Sequence, residues 1–301
     1  MLGGVHCADI GDAGDSGRPS GRRAEVGPRA GGEGPPGRPG PRGSKGAGSR
    51  VQSTFERTTE EGSERLARGL PALLATGSVG GIDVGMGVLA LLLVEALTHN
   101  RVAGALAFTV GFVALTLADS ELFTENLLVP IVAVAGGEAR PRAVVRLWAG
   151  TLVMNLAGGW VIMAVVTAGL PEVRGVAVAL GTHYARAGVN GASFATAVLG
   201  GTIVTLMTWM ERASESLLGR LVAAVVAGFL LALGSLNHVI VASLEMFAGL
   251  QAHAPFGYLT WAKDAGWAVL GNLVGGIGLV TVLRLVQVGP AALIDRRRAG
   301  G

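Results

Sequence analysis

The sequence predicts an all-α membrane protein whose six transmembrane helices form two inverted repeats of three. Six long apolar segments fill residues 70–286, and about 20 apolar residues are enough to span a bilayer as a helix. Specific residues of the first three segments recur in the last three. In addition, the second and fifth segments each carry a polar interruption, which predicts that both of these helices are broken.

Composition supports a membrane protein. The mean hydropathy is +0.53 and 15% of residues are charged, against about 25% in an average soluble domain. Residues 1–68 hold 11 of the 24 Lys and Arg and 9 of the 21 Asp and Glu, so the rest of the chain is poorer still in charge. We attribute the basic pI of about 9.6 to the cytoplasmic face of a membrane protein rather than to nucleic-acid binding.

The N-terminal region has the composition of a disordered tail. Residues 1–50 contain 15 Gly and 6 Pro, and such a segment buries too little apolar surface to offset the entropy of ordering. We therefore expect residues 1–68 to be a Gly/Pro/Arg-rich cytoplasmic tail, ending in a short pre-membrane helix over residues 53–69. The tail lacks the apolar region of a signal peptide, and translation could also start nearer Val51. Cys7 is the only cysteine, so we expect no disulfide within the chain and no Cys-based metal site. The sequence predicts no other metal site and no cofactor.

Residues 69–288 are predicted to be a six-helix channel domain, and residues 289–301 a basic cytoplasmic tail. The second and fifth segments are too long for one plain crossing. Their interruptions, Asp119-Ser120-Glu121 and Ser235–His238, predict two half-helices joined by unwound backbone, which membranes tolerate only inside protein or beside a water-filled path. The six predicted segments cover residues 70–97, 102–135, 141–169, 192–210, 219–250 and 264–286.

The repeat is visible in small and polar residues. Gly80-Gly81 recurs 120 residues later as Gly200-Gly201, and Asn155 recurs 117 residues later as Asn272, each followed by Leu, a small or apolar residue and Gly-Gly. Ser120 recurs as Ser235, 115 residues on. Three segments per half is an odd number, so the second half must cross the membrane inverted. Inverted repeats with broken helices place a solute path near the membrane midplane.

The distribution of basic residues predicts that both termini are cytoplasmic, in the plasma or inner membrane. With the N-terminus inside, nine basic residues lie in inner loops and at the C-terminal end, against four in outer loops. The inner residues are Arg140, Arg142, Arg146, Arg212, Arg220, Arg284, Arg296, Arg297 and Arg298, and the outer residues are Arg101, Arg174, Arg186 and Lys263.

His238, in the break of the fifth segment, is the strongest candidate for a functional residue. Ionisable groups at this depth are costly and usually face the protein interior or a cavity, although a hydrogen-bonded structural histidine is the alternative. Thr124 in the first break offers a hydroxyl that donates or accepts, and Leu122 and Phe123 offer apolar bulk for a constriction. The remaining predicted pore residues are polar residues of the two breaks, Asn237, Ser120 and Ser235.

Other residues of the spans have predicted structural roles. Asn155 and Asn272 are expected to hold unwound backbone from a neighbouring helix, and Gly81 and Gly201 to allow close helix packing. The acidic residues of the first break, Glu121 and Glu125, are interpreted as capping a half-helix rather than as binding a solute. The sequence assigns no partner to two further acids inside spans, Asp83 and Glu245.

Together these residues resemble the formate/nitrite transporter family. Leu122-Phe123-Thr124 resembles the family's motif in its second helix, His238 resembles its pore histidine, and the Asn-Leu-x-Gly-Gly pair is similar too. The resemblance covers residues 64–288. It implies an aquaporin-like bundle assembled as a homopentamer, in which Leu122 and Phe123 line a constriction and Thr124 and His238 contact the solute. The chain departs from the family pattern at Asn237, where the family has Glu, and at Glu125, where it has a small residue.

The predicted function is therefore conduction of small monovalent anions or their weak acids, of the formate, nitrite or hydrosulfide class. His238 would assist by protonating the solute or by hydrogen bonding alone. Three alternatives stay open from the sequence: an aquaporin-like channel for neutral solutes, a membrane sensor that conducts nothing, and an intramembrane serine protease. The usual Asn-Pro-Ala pair of the first and the Gly-x-Ser-Gly of the last are absent, so no catalytic residue is predicted.

Overall fold

The computed structural model describes residues 45–299, with side chains from residue 48 to residue 298. Every regular element in this range is helical, and the second and fifth segments are broken, which confirms the predicted fold class. The predicted disorder of residues 1–44 lies outside the described residues.

The helices of the described range are numbered in chain order. They are α1 Lys45–Ala67, α2 Leu70–Thr98, α3 Arg101–Ala118, α4 Val129–Ala135, α5 Pro141–Gly169, α6 Arg174–Ala187, α7 Gly191–Ala213, α8 Leu217–Leu233, α9 Val239–Gln251, α10 Tyr258–Leu273, α11 Val282–Val288 and α12 Pro290–Ala299. Short 3₁₀ turns occupy Glu125–Leu127 and Pro171–Val173, and a π-helical stretch, Val274–Thr281, makes α10 and α11 one continuous rod.

The predicted segments correspond to these helices. Among the described residues, five helices are long and apolar enough to cross a membrane: α2, α3, α5, α7 and the rod Tyr258–Val288. The fifth segment is instead divided into two shorter apolar helices, α8 and α9, and the second continues beyond α3 into the short helix α4. The third segment has the predicted bounds, 141–169, whereas the sixth begins at Tyr258, six residues earlier than predicted.

Two helices differ from the sequence prediction. No helix is predicted between the segments 141–169 and 192–210, but the structure has α6 there. It packs against α9 through small residues: a Cβ added to Gly249 would lie 3.0 Å from the Ala177 carbonyl oxygen. The pre-membrane helix α1 begins at Lys45, earlier than predicted. It is also not a free surface helix, because Phe55, Thr58 and Arg65 are buried.

The basic C-terminal stretch folds back onto the bundle as α12. Arg296 Nε donates to Glu138 Oε1 at 2.6 Å, and Arg297 Nε donates to the Ala135 carbonyl oxygen at 2.9 Å. Both partners lie at the end of the second segment. Helix α12 and the end of the second segment are therefore at the same side of the bundle.

Glycines allow the helices around the breaks to touch through their backbones. A Cβ at Gly81 of α2 would overlap the carbonyl oxygen of Asn155 on α5, and a Cβ at Gly201 of α7 would overlap that of Asn272 on α10. The contact between α2 and α5 is thus repeated by α7 and α10. Close packing of this kind brings each asparagine side chain within reach of a break.

Candidate functional site

Both breaks begin with the same backbone turn. Asp119 follows the last residue of α3 and is left-handed with φ 53°, and the Ser120 N–H bonds the Leu115 carbonyl at 3.3 Å. After α8, Ser235 is left-handed with φ 44°, and the Leu236 N–H bonds Leu231 at 3.1 Å. Asp and other short polar residues tolerate this region better than most. The structure therefore pairs Asp119 with Ser235 at an offset of 116, and the predicted pairing of Ser120 with Ser235 is wrong by one residue.

Asn155 joins the first break to two helices. Its Nδ2 donates to the Gly77 carbonyl at 2.8 Å and to the Glu121 carbonyl at 2.9 Å, and its Oδ1 accepts from the Phe123 N–H at 2.9 Å. The amide is completely buried. Three good hydrogen bonds satisfy backbone groups that the unwound segment would otherwise leave unpaired in an apolar interior.

Asn272 makes the equivalent bonds in the second half. Its Nδ2 donates to the Ala197 carbonyl at 2.7 Å and to the Asn237 carbonyl at 3.1 Å, and its Oδ1 accepts from the Val239 N–H at 2.9 Å. Each asparagine lies on the third helix of its repeat, α5 or α10. Its side chain bonds both the break and the first helix of the same repeat, α2 or α7.

The two breaks meet at Thr124 and His238. Thr124 Oγ1 lies 2.7 Å from His238 Nε2, and both residues are 0% exposed. The contact joins residues 114 positions apart in sequence, one from each repeat. The structure therefore brings together the two polar residues that the sequence singled out for solute contact.

The position of His238 fixes its hydrogen-bonding state. The residue is the N-cap of α9, and its Nδ1 accepts from the Val241 N–H at 3.3 Å. A neutral imidazole whose Nδ1 accepts carries its proton on Nε2, so Nε2–H donates to Thr124 Oγ1. The hydroxyl hydrogen of Thr124 is then available to a third group. The Thr124 hydroxyl is thus a hydrogen-bond donor whose direction is set by its bond from His238. It lies at the N-terminal end of α9, where negative charge is favoured.

Leu122 and Phe123 are buried beside this pair. Leu122 is 0% and Phe123 3% exposed, and both belong to the main apolar core together with Val239 and Ile240 of the opposite half. The Phe123 ring packs edge-on against Trp148, with centroids 6.2 Å apart. Both side chains thus lie at the meeting of the two repeats.

The serines of the breaks have other partners. Ser120 Oγ donates to Asp83 Oδ2 at 2.6 Å, which also gives the unassigned Asp83 a partner, and Ser235 Oγ accepts from the Arg101 guanidinium. The Ser120 hydroxyl connects the first break to α2, and the Ser235 hydroxyl connects the second break to the start of α3. The structure thus gives both serines partners outside the central pair, and their role as pore residues stays a prediction. Asn237, by contrast, is buried next to His238 and bonds Asp264 Oδ1 through Nδ2 at 3.0 Å.

Sequence reasoning missed the arginines of α1. Arg65 is 3% exposed and lies among carboxylates: its Nη2 is 2.5 Å from Glu61, its Nε 3.5 Å from Glu121 and its Nη1 3.4 Å from Glu125. Arg68 also pairs with Glu121. The two acids of the first break are thus ion-paired to α1, a partner that the sequence did not indicate.

The carboxylates around Arg65 compensate its buried positive charge. Burial alone would lower the pKa of the Arg65 guanidinium, but its three carboxylate neighbours raise the pKa above its ordinary value. A buried charge is tolerated only with such partners. The signal in the sequence was the spacing of Glu61 and Arg65, four residues apart on one helix face, but nothing in it indicated that this face is buried.

A polar cavity of about 370 Å³ opens beside this cluster. Helix α1, the first break and the ends of α7 and α8 contribute to its walls, and both signs of charge are represented. Its charged lining residues are Arg57, Glu60, Glu61, Glu64, Arg65, Arg68, Asp119, Glu121, Glu211, Arg212 and Arg220. The first break thus lies between a charged cavity and the buried pair of Thr124 and His238.

Two inverted repeats whose broken helices meet at a buried polar pair define the class of solute-conducting membrane proteins. Comparison with known proteins gives the family. The model of the formate/nitrite transporter family matches residues 52–286, so the chain belongs to the formate/nitrite transporter family and is a multi-pass membrane protein. The family resemblance read from the sequence is confirmed.

Two relatives are each 26% identical to this chain. The inner membrane protein YfdC of Escherichia coli (strain K12) aligns over 256 residues, covering 80% of this chain and 79% of its own. The formate channel BtFdhC of Bacillus thuringiensis aligns over 247 residues, covering 75% of this chain and 90% of its own.

Solved structures share the fold. An FNT family ion channel has a TM-score of 0.69 at 16% identity, covering 77% of this chain and 98% of its own. A pentameric formate channel with formate bound has a TM-score of 0.61 at 18% identity, covering 72% of this chain and 96% of its own. At these identities the likeness concerns the fold alone.

Proposed function

We propose that this protein is a channel for small monovalent anions or their weak acids, with formate as the first solute to test. One observation carries the proposal: the Thr124–His238 contact of 2.7 Å at the meeting of the two breaks. Membership of the family supports the class of solute, and one 26% identical relative is a formate channel.

In this mechanism, the anion sheds most of its water on passing the apolar side chains of Leu122 and Phe123. It then meets the Thr124 hydroxyl, which is polarised by the Nε2–H of His238. Desolvation raises the pKa of a carboxylic acid, because a charge is costly in an apolar environment. Protonation of the solute, directly or with a proton relayed by His238, would let a neutral acid cross. A histidine that only donates its hydrogen bond is the simpler variant of the same mechanism.

The assembly is proposed from a relative of the same fold, and the orientation from the distribution of basic residues. We propose a homopentamer in which each protomer has its own pore, since one structural neighbour is a pentameric formate channel. Both termini would be cytoplasmic, as the excess of arginines in the inner loops indicates. The charged cavity beside α1 would then be the cytoplasmic vestibule.

The decisive experiment is solute uptake into liposomes containing the purified protein. Formate, nitrite, hydrosulfide and glycerol are compared between about pH 5 and pH 8, the range around the ordinary pKa of histidine. We expect uptake of the weak acids to rise at low pH and glycerol to be excluded. In His238→Asn, uptake should fall at least about tenfold, the effect of losing one buried hydrogen bond at the point of passage.

The outcomes separate the mechanisms. A lower rate with an unchanged pH profile in His238→Asn would leave a hydrogen-bonding histidine and remove the proton relay. Glycerol uptake without anion uptake would contradict the proposed solute class. No uptake of any solute by the native protein would support a sensor that keeps the fold without conducting.

A further inference from the structure

The Asn237 side chain has a hydrogen-bonding atom that no described residue satisfies. Its Nδ2 donates to Asp264 at 3.0 Å, whereas its Oδ1 is buried and has no partner. The residue is 2% exposed, and its backbone carbonyl is held by Asn272 at 3.1 Å. A buried acceptor left unpaired costs about 1–3 kcal/mol, and native proteins keep few of them. An atom of this kind beside His238 points to a ligand.

Asp264 determines which way the amide faces. This residue lies near the start of α10 and is 4% exposed. Its Oδ1 accepts the hydrogen bond from Asn237 Nδ2, which leaves the amide oxygen on the other side of the amide group. Oδ1 of Asn237 is therefore turned away from Asp264, and the bond between Nδ2 and this residue of α10 keeps the amide in that orientation. The position of the free acceptor is thus set by the protein before any solute arrives.

The surroundings decide what this acceptor can bind. Two buried carboxyls, Glu245 and Asp264, lie in this part of the molecule, with the buried Tyr184 hydroxyl close to both. Arg101, the cation near Tyr184 and Glu245, is exposed and already bonded to Ser235. Formate and nitrite anions carry no N–H, O–H or S–H and therefore cannot donate to an oxygen acceptor. A neutral molecule with an O–H or S–H group can.

We propose that Asn237 Oδ1 is an acceptor subsite for the undissociated form of the weak acid, one residue before His238. The inference rests on the proposed function. It states that the solute is the undissociated acid where it passes Asn237, beside the pair of Thr124 and His238. The acid donates its O–H or S–H to Oδ1 and keeps its proton there, and no covalent bond forms or breaks. Asp264 acts as a positioning residue, since it touches the amide and not the solute.

The test is the concentration dependence of formic acid uptake into liposomes at one fixed pH near 5. Asn237→Leu keeps the volume and removes the acceptor, so the half-saturating concentration should rise about tenfold. Asn237→Asp places two carboxyls face to face and should be impaired as well. The double variant Asn237→Asp/Asp264→Asn exchanges amide and carboxyl, keeps the bond and one free oxygen, and should return to within about twofold of the native value.

A matched control is Thr167→Val. It removes a buried hydroxyl of α5, which bonds the Met163 carbonyl at 3.0 Å, without touching either break. We expect its half-saturating concentration to be native. Thermal unfolding and gel filtration of each variant show that the fold is kept, and if Asn237→Leu does not fold, the exchange variant decides.

Several results would overturn the subsite. An unchanged half-saturating concentration in Asn237→Leu, with uptake still lost in His238→Asn, would sink the subsite and leave the proposed function intact. A folded exchange variant that does not recover would do the same. Reduced osmotic water permeability with native acid uptake would assign the acceptor to a water molecule. A native protein that conducts no weak acid would overturn both proposals.

Discussion

At the residue scale, hydrogen-bonding capacity explains the site. His238 is directed by one bond from the backbone of its own helix, and the direction of its second bond follows from it. The sequence identified His238 and Thr124 because polar groups are costly at this depth. It could not show that they meet, since they are 114 residues apart. The unpaired Oδ1 of Asn237 was also invisible in the sequence, because Asp264 belongs to a different helix.

Thr124 offers a sharp test of the central pair. Thr124→Val keeps the shape and removes the hydroxyl, so we expect formate uptake to drop at least about tenfold. Thr124→Ser keeps the hydroxyl and should retain most of the rate. Uptake by the two variants is measured in the same liposome assay, and equal loss in both would show that the methyl group matters rather than the hydroxyl.

The two asparagines make a prediction about symmetry. Asn155→Leu and Asn272→Leu each leave one backbone N–H and two carbonyls without their partner, at a cost of about 3 kcal/mol or more. Because the two sets of bonds are equivalent, both variants should unfold at similarly reduced temperatures. Native-like unfolding of either variant would mean that its break is held in another way.

At the element scale, backbone contact between helices places the breaks. The glycines of α2 and α7 lie against carbonyl oxygens of α5 and α10, and this closeness lets Asn155 and Asn272 reach the unwound segments. The sequence predicted the glycines as packing residues from their spacing and repetition. It did not predict α6, which is shorter and more polar than the spans and is stabilised by packing on α9.

Adding a methyl group tests these contacts. Gly81→Ala and Gly201→Ala place a Cβ on a carbonyl oxygen of the adjacent helix, so we expect about 1–3 kcal/mol of destabilisation and lower uptake. Gly266→Ala is the control, because a Cβ there meets nothing within 4 Å, and a helical Gly→Ala change stabilises by up to about 1 kcal/mol. Thermal unfolding compares the three. Equal unfolding temperatures for all three variants would contradict the close approach of α2 to α5 and of α7 to α10.

Helix α1 is attached to the first break through charge. Arg65→Met leaves the carboxylates of Glu121 and Glu125 without their main partner, which costs about 3–5 kcal/mol when a buried pair is broken. We expect faster hydrogen exchange throughout α1 and a lower unfolding temperature. Arg50→Met, on the exposed start of the same helix, should change neither quantity. Unchanged exchange in Arg65→Met would show that apolar contacts such as Phe55 suffice.

At the scale of the whole molecule, an odd number of segments per repeat requires the halves to be inverted. The two breaks then approach each other from opposite directions, which is the arrangement that Thr124 and His238 show. The predicted orientation in the membrane depends on arginine counts, and it is open to direct measurement.

Orientation is measured with single cysteines in a Cys7→Ser background. Glu215→Cys lies between α7 and α8 at a residue 86% exposed, and Glu172→Cys lies in the exposed turn before α6. In intact cells a membrane-impermeant maleimide should label the second and not the first. After permeabilisation both should react. The reverse pattern would place the termini outside.

The sequence by itself determined the helical membrane fold, the two breaks, the repeat and the family, because these depend on local hydropathy and on residues at fixed spacings. Only the tertiary structure decided which partners the polar residues have. It showed that Ser120 and Ser235 bond Asp83 and Arg101, and it paired Glu121 and Glu125 with α1. Such partners lie on helices distant in sequence, and burial in an apolar interior is what obliges each polar group to find one.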